Sequence, residues 1–438
     1  MAKSEIDYGS EVQNFVDYFE LLACRKDQTI YRYMESKGIF IPLDSVEINR
    51  LIDIYIRQAG TDLPWMDYSF NVLSKHISTV SEYVDEMGAP AGTIVFSNGT
   101  YKAGKGKLFK HSAKNLAISA LPCSYDVKAK ADRFDSFIKS VADGDTAMEL
   151  TLLEMLGAVL THSSNKIQRM GICFGNGSNG KSLYLRLCEV LCGKSLTANI
   201  SLNDIASDKA FDRIAILNAR LLCIHELEQG LSMNKLLGEN VKRIITGEEI
   251  SAERKFKEKV YFKPRGIILA ASNYHPIIET PSPSLKRRLL MLEFRRNFLG
   301  SERNPNLFKE ILGELPGVVN RALEGYERLK SQNFVFSSQA DSDRLYEAMV
   351  VETNPMYAFV KECVVSCPEG KVKNDTLLRA YKEWAQDNNI HVVGDSNSLS
   401  KQLTTALQNA DIPFSYDKSN GLRVKKGIRL KKGGSNHE

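Results

Sequence analysis

The chain has 438 residues, of which 43% are hydrophobic and 25% charged, and its formal net charge is +5. That length is too great for one ordinary core, so we expect about two to four domains. No apolar stretch is long enough to span a bilayer, and the first residues lack the basic and apolar regions of a signal peptide. These features exclude membrane-spanning classes, and we expect a cytoplasmic protein with no membrane partner.

The eight cysteines form no CxxC pair and no Cys/His spacing typical of a metal site. Cys173 and Cys223 lie in apolar runs that read as strands, where a thiol behaves as a small core side chain. We therefore expect reduced thiols and no zinc.

Residues 1–92 show apolar positions at helical spacing and predict a helical N-terminal region of unknown role. These positions are Val12, Phe15, Val16, Tyr18, Phe19 and Leu22, then Ile48, Leu51, Ile52, Ile54 and Tyr55. Residues 93–165 begin with a predicted strand at 93–96 and a turn at Asn98 and Gly99. A helical stretch then runs from about 133 to 162.

A phosphate-binding loop lies between the strand-like run 169–174 and the helix-like run 182–190. Its residues are Gly175, Asn176, Gly177, Ser178, Asn179, Gly180, Lys181 and Ser182. Glycines let successive backbone N–H groups turn onto phosphates, while Lys181 reaches the β- and γ-phosphates and the Ser182 hydroxyl binds Mg²⁺. The pattern therefore predicts an ATP and Mg²⁺ site.

Two acids follow the apolar run 220–224, namely Glu226 and Glu228. If the strand continues, both face the same side and His225 faces the other. An acid at a strand end can hold Mg²⁺ and orient or deprotonate the attacking water, and Glu226 is the first choice for that role. The alternative is an ordinary surface glutamate.

A polar amide and an arginine pair complete the candidate site. Asn273 ends the apolar run 266–272 and could hydrogen-bond the γ-phosphate and the water. For an isolated Asn before a Tyr-His-Pro segment, a turn-forming role is favoured instead. Arg287 and Arg288 precede the run 289–292 and could supply an arginine finger to a neighbouring subunit. The alternative for the pair is a solvated basic helix end.

A hairpin with a basic tip is predicted between the strand-like runs 250–252 and 260–262. Its candidate DNA contacts are Arg254, Lys255, Phe256, Lys257 and Lys259. Lysines can bind DNA phosphates while the phenylalanine packs or stacks beside them. Taken alone, the pattern favours a merely solvated charged turn.

The C-terminal part follows a polar segment, 331–342, that reads as a linker. Two helical patterns and two strands joined at 419–421 are then predicted, with Asn-Gly as a hairpin signal. Residues 418–432 hold seven Lys or Arg and no acid, which suits phosphate neutralisation, although a solubilising tail is the alternative. The candidate DNA contacts are Lys401, Gln402, Thr405, Lys425, Lys426 and Arg429.

The order of these segments resembles the superfamily 3 helicase core of the AAA+ ATPases, and is most similar to the poxvirus and phage primase-helicase family. The segments are GNGSNGKS, LLCIHELE, TGEEISAERKFKEK, ILAASNYHP and SLKRRLLMLEF. Asn98-Gly99, His111-Ser112, Tyr125-Asp126 and Phe134 look like that family's accessory region. The resemblance covers the chain from Thr93 onward and is closest overall to initiator-helicases of phages, satellites and pathogenicity islands of Gram-positive bacteria.

The resemblance implies an α/β fold with an AAA+ core built on a parallel sheet, preceded by a helical region and followed by a winged-helix domain. The expected units are 1–92, an accessory or collar region at 93–165, a motor at 166–332 and a winged helix at 350–438. It also implies a hexameric ring moving 3′-to-5′ on single-stranded DNA, with duplex origin DNA at the winged helix. A separate primase or host replication proteins are expected partners in the bacterial cytoplasm.

Three functions compete. The first is a replicative helicase; the second is a DNA-binding switch whose assembly is controlled by ATP without strand separation. A small-molecule kinase explains the phosphate loop but leaves Asn273 and the arginine pair without a role. A primase is not expected, because the first ninety residues hold no acidic pair in a strand context suited to two-metal nucleotidyl transfer.

Overall fold

The computed structural model describes residues 6–207, 210–253, 259–278, 281–419 and 422–431. A five-stranded parallel sheet occupies the middle of the chain, with an N-terminal mixed unit, an accessory region and a C-terminal unit around it. Among the described helices, none has the length and apolarity needed to cross a membrane.

The N-terminal unit is mixed α/β, so the prediction of a helical region was wrong in part. Val12, Phe15 and Val16 are buried on a helix as expected, but that helix ends at Tyr18 and Leu22 lies in a strand. The strands of this unit were not predicted, because they are short and their residues form neither a helical pattern nor a catalytic or binding motif. The elements are α1 (Tyr8–Tyr18), β1 (Leu21–Cys24), β2 (Thr29–Met34), β3 (Ile39–Leu43), α2 (Ser45–Gln58), α3 (Asp67–Val80) and β4 (Glu82–Val84), with sheet order β3-β2-β1-β4.

The accessory region begins with the predicted strand and turn. Phe96 pairs with Gly99 across the turn of an antiparallel three-stranded sheet. The single helical stretch expected after it is divided at Asp143 and Gly144, which adopt φ values of 51° and 83°. The elements are β5 (Thr93–Phe96), β6 (Gly99–Lys102), β7 (Lys107–Phe109), α4 (Asp132–Ala142), α5 (Thr146–Leu160) and α6 (Ser164–Ile167).

The central sheet has the order β14-β8-β13-β10-β9, and all its strand pairs are parallel. Its strands are β8 (Met170–Phe174), β9 (Thr197–Asn199), β10 (Leu221–Ile224), β13 (Ile267–Ser272) and β14 (Leu289–Glu293). Cys173 and Leu269 face one hydrophobic core, while Ile172 and Ile268 face the other. Burial on both faces explains why these strands read as continuous apolar runs.

Helices and a hairpin connect the strands of this sheet. The remaining elements are α7 (Lys181–Cys192), α8 (Leu202–Ala206), α9 (Met233–Leu236), α10 (Glu239–Thr246), β11 (Ile250–Ala252), β12 (Val260–Phe262), α11 (Pro283–Lys286), α12 (Leu307–Gly313) and α13 (Leu315–Ser331). The predicted hairpin strands β11 and β12 pair antiparallel, with Ala252 opposite Val260. The tip of this hairpin lies outside the described residues.

The C-terminal unit contains the two predicted helices and the two predicted hairpin strands, together with an additional strand. Its elements are α14 (Gln339–Thr353), α15 (Pro355–Cys363), β15 (Val364–Lys373), α16 (Asn374–Asp387), α17 (Ser396–Asn409), β16 (Ser415–Ser419) and β17 (Leu422–Leu430). The sheet order is β15-β17-β16. Leu377 of α16 and Leu403 of α17 are fully buried in the core shared with the central sheet.

The segment 331–342 is not a solvated linker. Ser337 donates from its backbone N and its Oγ to the Glu154 carboxylate, at 2.9 and 2.5 Å, and the Ser338 backbone N donates to Thr151 Oγ1 at 2.8 Å. Phe336 is buried as well. The polar groups of Ser337 and the Ser338 backbone therefore bind buried polar groups of α5 rather than solvent.

Helices α5 and α13 approach each other closely at glycines. A Cβ atom at Gly157 would lie 2.3 Å from the carbonyl oxygen of Ala322 and 2.5 Å from the backbone N of Tyr326. We expect Gly157→Ala to destabilise the fold by about 1–3 kcal/mol through overpacking, measured as a lower thermal unfolding temperature. Gly313→Ala is the matched control because a Cβ there meets no atom within 4 Å. An unchanged unfolding temperature for Gly157→Ala would contradict this close packing.

Candidate active site

The phosphate-binding loop joins β8 to α7, as the sequence predicts, and glycines shape it. Gly175 has φ of 147°, and a Cβ atom there would lie 2.3 Å from the Phe294 carbonyl oxygen. Gly180 has φ of 89°, and its Cβ would lie 2.8 Å from Val141 Cγ1. A side chain at either position would both strain the backbone and clash, so these two glycines fix the path of the loop.

Lys181 is 5% exposed and lies over the loop. Its Nζ donates to the Gly175 carbonyl oxygen at 2.6 Å and to Asn179 Oδ1 at 2.9 Å. Burial lowers the pKa of Lys181, because desolvation disfavours the charged ammonium. An anionic ligand beside Nζ would therefore stabilise the charged ammonium, which the protein alone stabilises only in part.

The loop is also held by the chain that follows β14. Asn179 Nδ2 donates to the Phe294 carbonyl oxygen at 3.0 Å, and the Phe298 backbone N donates to the Ser178 carbonyl oxygen at 2.8 Å. Arg303 additionally donates from Nη2 to Ser178 Oγ. These bonds connect Ser178 and Asn179 of the loop to the segment 294–303, which follows β14.

A cleft of about 360 Å³ brings the main sequence-predicted residues together. Lys181, Ser182, His225, Glu226 and Asn273 all line it. The distance from Asn273 Nδ2 to Glu226 Oε1 is 3.5 Å. β10 and β13 are neighbouring parallel strands, so the residues that follow them meet at one edge of the sheet, beside the loop after β8.

The two predicted acids are not equivalent. Strand β10 ends at Ile224, before both acids. Leu227, between Glu226 and Glu228, is buried. The Leu227 backbone N donates to the Ala271 carbonyl oxygen at 2.8 Å. Glu228 is exposed and does not belong to the cleft lining. The expected alternation along a continued strand therefore fails, because the strand stops before the acids.

The two arginines also differ, and neither lines the cleft of its own chain. Arg288 donates from Nη1 to the Ser284 carbonyl oxygen at 3.0 Å and also bonds Ser284 Oγ. Arg287 is exposed, and its side chain has no hydrogen-bond or ion-pair partner within the described part of the chain. Arg287 is thus the member of the pair whose guanidinium is available to another molecule.

His225 lines the cleft but had no role assigned from the sequence. Its Nε2 lies 3.1 Å from Glu189 Oε1, and donor atoms of Glu189, Cys223 and His225 lie within 4.8 Å of one another. Short Cys/His spacings could not reveal this group, because Glu189 comes from α7. Burial raises the pKa of the Cys223 thiol, which favours the protonated form over a metal-binding thiolate.

The predicted DNA contacts of the internal hairpin are described only in part. Arg254, Lys255, Phe256 and Lys257 lie outside the described residues. Lys259 is exposed just before β12, with its Nζ 6.0 Å from the ring centroid of the exposed Tyr261. The hairpin base therefore presents a cation and an aromatic ring to solvent.

In the C-terminal unit, Lys425, which the sequence indicates as a candidate DNA contact, is buried. Lys425 is 1% exposed, its Nζ donates to Thr404 Oγ1 at 2.9 Å, and it lies 4.7 and 4.6 Å from the ring centroids of Phe414 and Tyr416. Two aromatic rings and a hydroxyl stabilise the buried ammonium, which a count of charges cannot show. Lys426 is also engaged, in an ion pair with Asp417 at 2.6 Å.

Other predicted C-terminal contacts remain accessible. Lys401 and Gln402 are exposed on α17, and Arg429 is exposed on β17. Lys401 and Thr405 line a groove of about 650 Å³ between α17 and the β16–β17 hairpin, together with Arg423. Arg423 was not singled out from the sequence, although it lies within the basic stretch identified there.

Sequence comparison gives two matches of limited extent. A family of unknown function (DUF5906) matches residues 173–288, which run from β8 through the phosphate loop to the arginine pair. The "Putative helicase L207/L206" of Acanthamoeba polyphaga mimivirus is 25% identical over 233 residues, which is 50% of this chain and 23% of that protein. The chain thus spans less than a quarter of this viral relative.

Structural comparison finds similarity over nearly the whole chain. The apo structure of the NrS-1 C terminal region (305-718) has a TM-score of 0.54 and 12% sequence identity, covering 97% of this chain and all of that chain. An A form apo structure of the same region has a TM-score of 0.54 and 11% identity, covering 95% of this chain and 99% of that chain. The chain therefore shares the α/β fold of the NrS-1 C-terminal region and has weak sequence similarity to a viral protein named as a helicase.

Proposed function

We propose that this protein is an ATP-dependent DNA helicase of the AAA+ superfamily 3 type. The observation that carries the proposal is the meeting of Lys181, Glu226 and Asn273 in one cleft at the edge of a parallel sheet. The name of the mimivirus relative supports a helicase-related role. The phosphate loop after an inner strand of this sheet fits the AAA+ core that the motif order implies.

The residues of the cleft suit a nucleoside triphosphate with Mg²⁺. Gly175 and Gly180 let the loop pack closely on Phe294 and Val141, and the Lys181 ammonium supplies a partly desolvated positive charge for phosphates. The Ser182 hydroxyl and the Glu226 carboxylate are oxygen donors of the kind Mg²⁺ prefers. Bound ATP with Mg²⁺ would supply the reactive γ-phosphate and neutralise part of its charge.

The protein groups would then act on water beside the phosphates. Glu226 orients the water that attacks the γ-phosphate and accepts its proton. Asn273 donates hydrogen bonds to this water and to the γ-phosphate. The 3.5 Å separation of their side chains lets one water contact both residues. Glu228 plays no direct part in this arrangement because it lies outside the cleft lining.

Hexameric ring assembly would complete the site with an arginine from a neighbouring subunit. Neither Arg287 nor Arg288 lines its own cleft, and Arg287 is exposed, which suits delivery to another protomer. Arg288 would position the short helix α11 through its bonds to Ser284. We assign the finger to Arg287.

Single-stranded DNA would pass along the internal hairpin in the ring, with 3′-to-5′ movement as the motif resemblance implies. The C-terminal unit would act as a winged helix on duplex origin DNA, through Lys401, Gln402 and Thr405 on α17 and Arg429 on the hairpin. Lys425 would hold that hairpin against α17 rather than contact phosphate. The protein would then be a replication initiator of a phage or mobile element, acting with a primase or host replication proteins.

Strand displacement tests this proposal. We expect ATP-dependent release of a labelled strand from forked DNA with a 3′ tail and not from one with a 5′ tail. Lys257→Ala at the hairpin tip should abolish release, whereas Lys263→Ala, an exposed lysine just after β12, should not. DNA-stimulated ATP turnover without release on any fork would instead support an ATP-controlled assembly switch.

A further inference from the structure

The N-terminal unit meets one edge of the central sheet at four charged residues. In the N-terminal unit, β1 and β4 are parallel neighbours, so Lys26 and Glu86, which follow them, lie at the same end of the two strands. In the central sheet, Arg220 directly precedes β10 and Arg265 lies two residues before β13. We call these four residues the Glu86 cluster. They lie at the opposite end of the central strands from the nucleotide cleft, which contains Glu226.

The carboxylate of Glu86 joins the two units. Lys26 Nζ donates to Glu86 Oε1 at 2.7 Å, and Arg265 Nη2 forms an ion pair with Glu86 Oε2 at 2.8 Å. Arg220 Nη2 lies 4.0 Å from Glu86 Oε1. The side chains of Lys26 and Arg220 are only 9% and 5% exposed. Loss of the Glu86 charge would therefore leave two nearly buried cations without this anion, which is costly in a poorly solvated place.

The Glu86 cluster also reaches the base of the internal hairpin. Lys26 Nζ lies 5.2 Å from the ring centroid of the buried Phe262, which is the last residue of β12. Arg265 belongs to the segment 263–266, which connects β12 with β13, the strand that leads to Asn273. The N-terminal unit therefore contacts both the second strand of the hairpin and its connection to the central sheet.

The hairpin base depends on such contacts, because it does not belong to the central sheet. Among the described strands, β11 and β12 pair with each other, over three residues each, and with no third strand. An isolated two-stranded pair is only marginally stable in water. On the side of β11, the buried Arg213 donates from Nε to the Ser251 carbonyl oxygen at 2.8 Å. The base is thus held by Arg213 on one strand and by the Glu86 cluster on the other.

We propose that the N-terminal unit positions the internal hairpin for its work on DNA, through the ion pairs of Glu86. The inference rests on the proposed function, in which this hairpin moves single-stranded DNA, and it adds a role for the N-terminal unit. A moving element must be supported by rigid neighbours if its motion is to reach the DNA. Glu86 is a positioning residue, because it lies outside the lining of the nucleotide cleft.

Glu86→Gln tests this role, since glutamine keeps the shape of the side chain and removes its charge. We expect hydrogen exchange at the backbone amides of β11 and β12 to become at least about ten-fold faster, because hydrogen bonds to a charged group are lost. ATP turnover without DNA should stay within about two-fold of native, because the nucleotide cleft is unchanged. The number of strands released per ATP hydrolysed should fall about ten-fold or more, because the displaced hairpin no longer meets DNA in the productive geometry.

The neighbouring acid provides a matched control. The side chain of Asp85 is 91% exposed and pairs with the exposed Arg25, so Asp85→Asn should change neither exchange nor strand release. Arg265→Gln tests the same contact from the central sheet, and it should fold normally because the Arg265 side chain is 49% exposed. It should reproduce both effects. Combining it with Glu86→Gln should add little, as expected for two residues that act through one contact.

Three results would overturn the inference. The first is unchanged exchange at β11 and β12 in Arg265→Gln, the variant that decides if Glu86→Gln does not fold. The second is an equal fall in ATP turnover and strand release, because the contact would then support the whole motor rather than the hairpin. The third is absence of strand release by the native chain, which would contradict the proposed function and with it this inference. Only the third appears in the native protein, so the two kinds of failure are distinguishable.

Discussion

Lys181→Ala is expected to lower ATP turnover at least about 100-fold, the loss typical of removing one preorganised group that stabilises transition-state charge. Lys181 is the cation of the cleft that lies directly over the phosphate loop. The measurement is phosphate release by the full chain with single-stranded DNA present, together with equilibrium binding of a fluorescent ATP analogue. The rate of phosphate release and the affinity for the ATP analogue should both fall.

The effect of Lys181→Ala should not come from unfolding. The unfolding temperature of Lys181→Ala is measured beside turnover, because the substitution removes two hydrogen bonds of the Lys181 Nζ atom as well as a desolvated charge. Lys194→Ala is the matched control, because Lys194 is an exposed lysine just beyond the other end of α7. Normal turnover in Lys181→Ala would rule out the phosphate loop as the site of hydrolysis.

Glu226→Gln is expected to retain ATP binding and to lower turnover about 100- to 10,000-fold, the range associated with loss of a general base. The glutamine keeps an Oε1 that can accept from Asn273 Nδ2, so the geometry of the pair is preserved while the proton acceptor is lost. Single-turnover hydrolysis separates this step from product release. The ATP-bound form should therefore accumulate and show the assembly state that ATP favours.

Glu228→Gln provides the matched control for Glu226. The two acids are separated only by Leu227 and both are exposed, but only Glu226 lines the cleft. Glu228→Gln should leave turnover within about two-fold of native, as expected for a surface change away from the reacting groups. The reverse pattern, with loss in Glu228→Gln and normal turnover in Glu226→Gln, would transfer the base to Glu228.

Sequence reasoning reached the phosphate loop and the strands beside it because their signals are local. The loop glycines directly follow the apolar run of β8. In the same way, Glu226 and Asn273 follow the apolar runs of β10 and β13 within a few positions. Parallel strands then bring these separate runs together at one edge. The sequence alone therefore predicts that Glu226 and Asn273 lie near Lys181.

The parts that sequence reasoning missed depend on distant contacts. The strands of the N-terminal sheet are short and carry no chemical motif, so helical periodicity nearby determined the prediction. The sequence shows Lys425 only as a positive charge, because the fold alone brings Phe414 and Tyr416 to its ammonium. The Glu189 contact with His225 joins a helix to a strand end that no spacing rule relates.

Strand β8 lies between β13 and β14 and is tied to β14 at both ends. The Met170 backbone N donates to the Arg288 carbonyl oxygen at 2.8 Å, and Asn179, beyond the far end of the strand, donates to the Phe294 carbonyl oxygen. Strand β8 therefore connects the phosphate loop at one end with the arginine pair at the other through hydrogen bonds. In the proposed ring, this single strand would link the nucleotide cleft of one protomer to the arginines that it offers its neighbour.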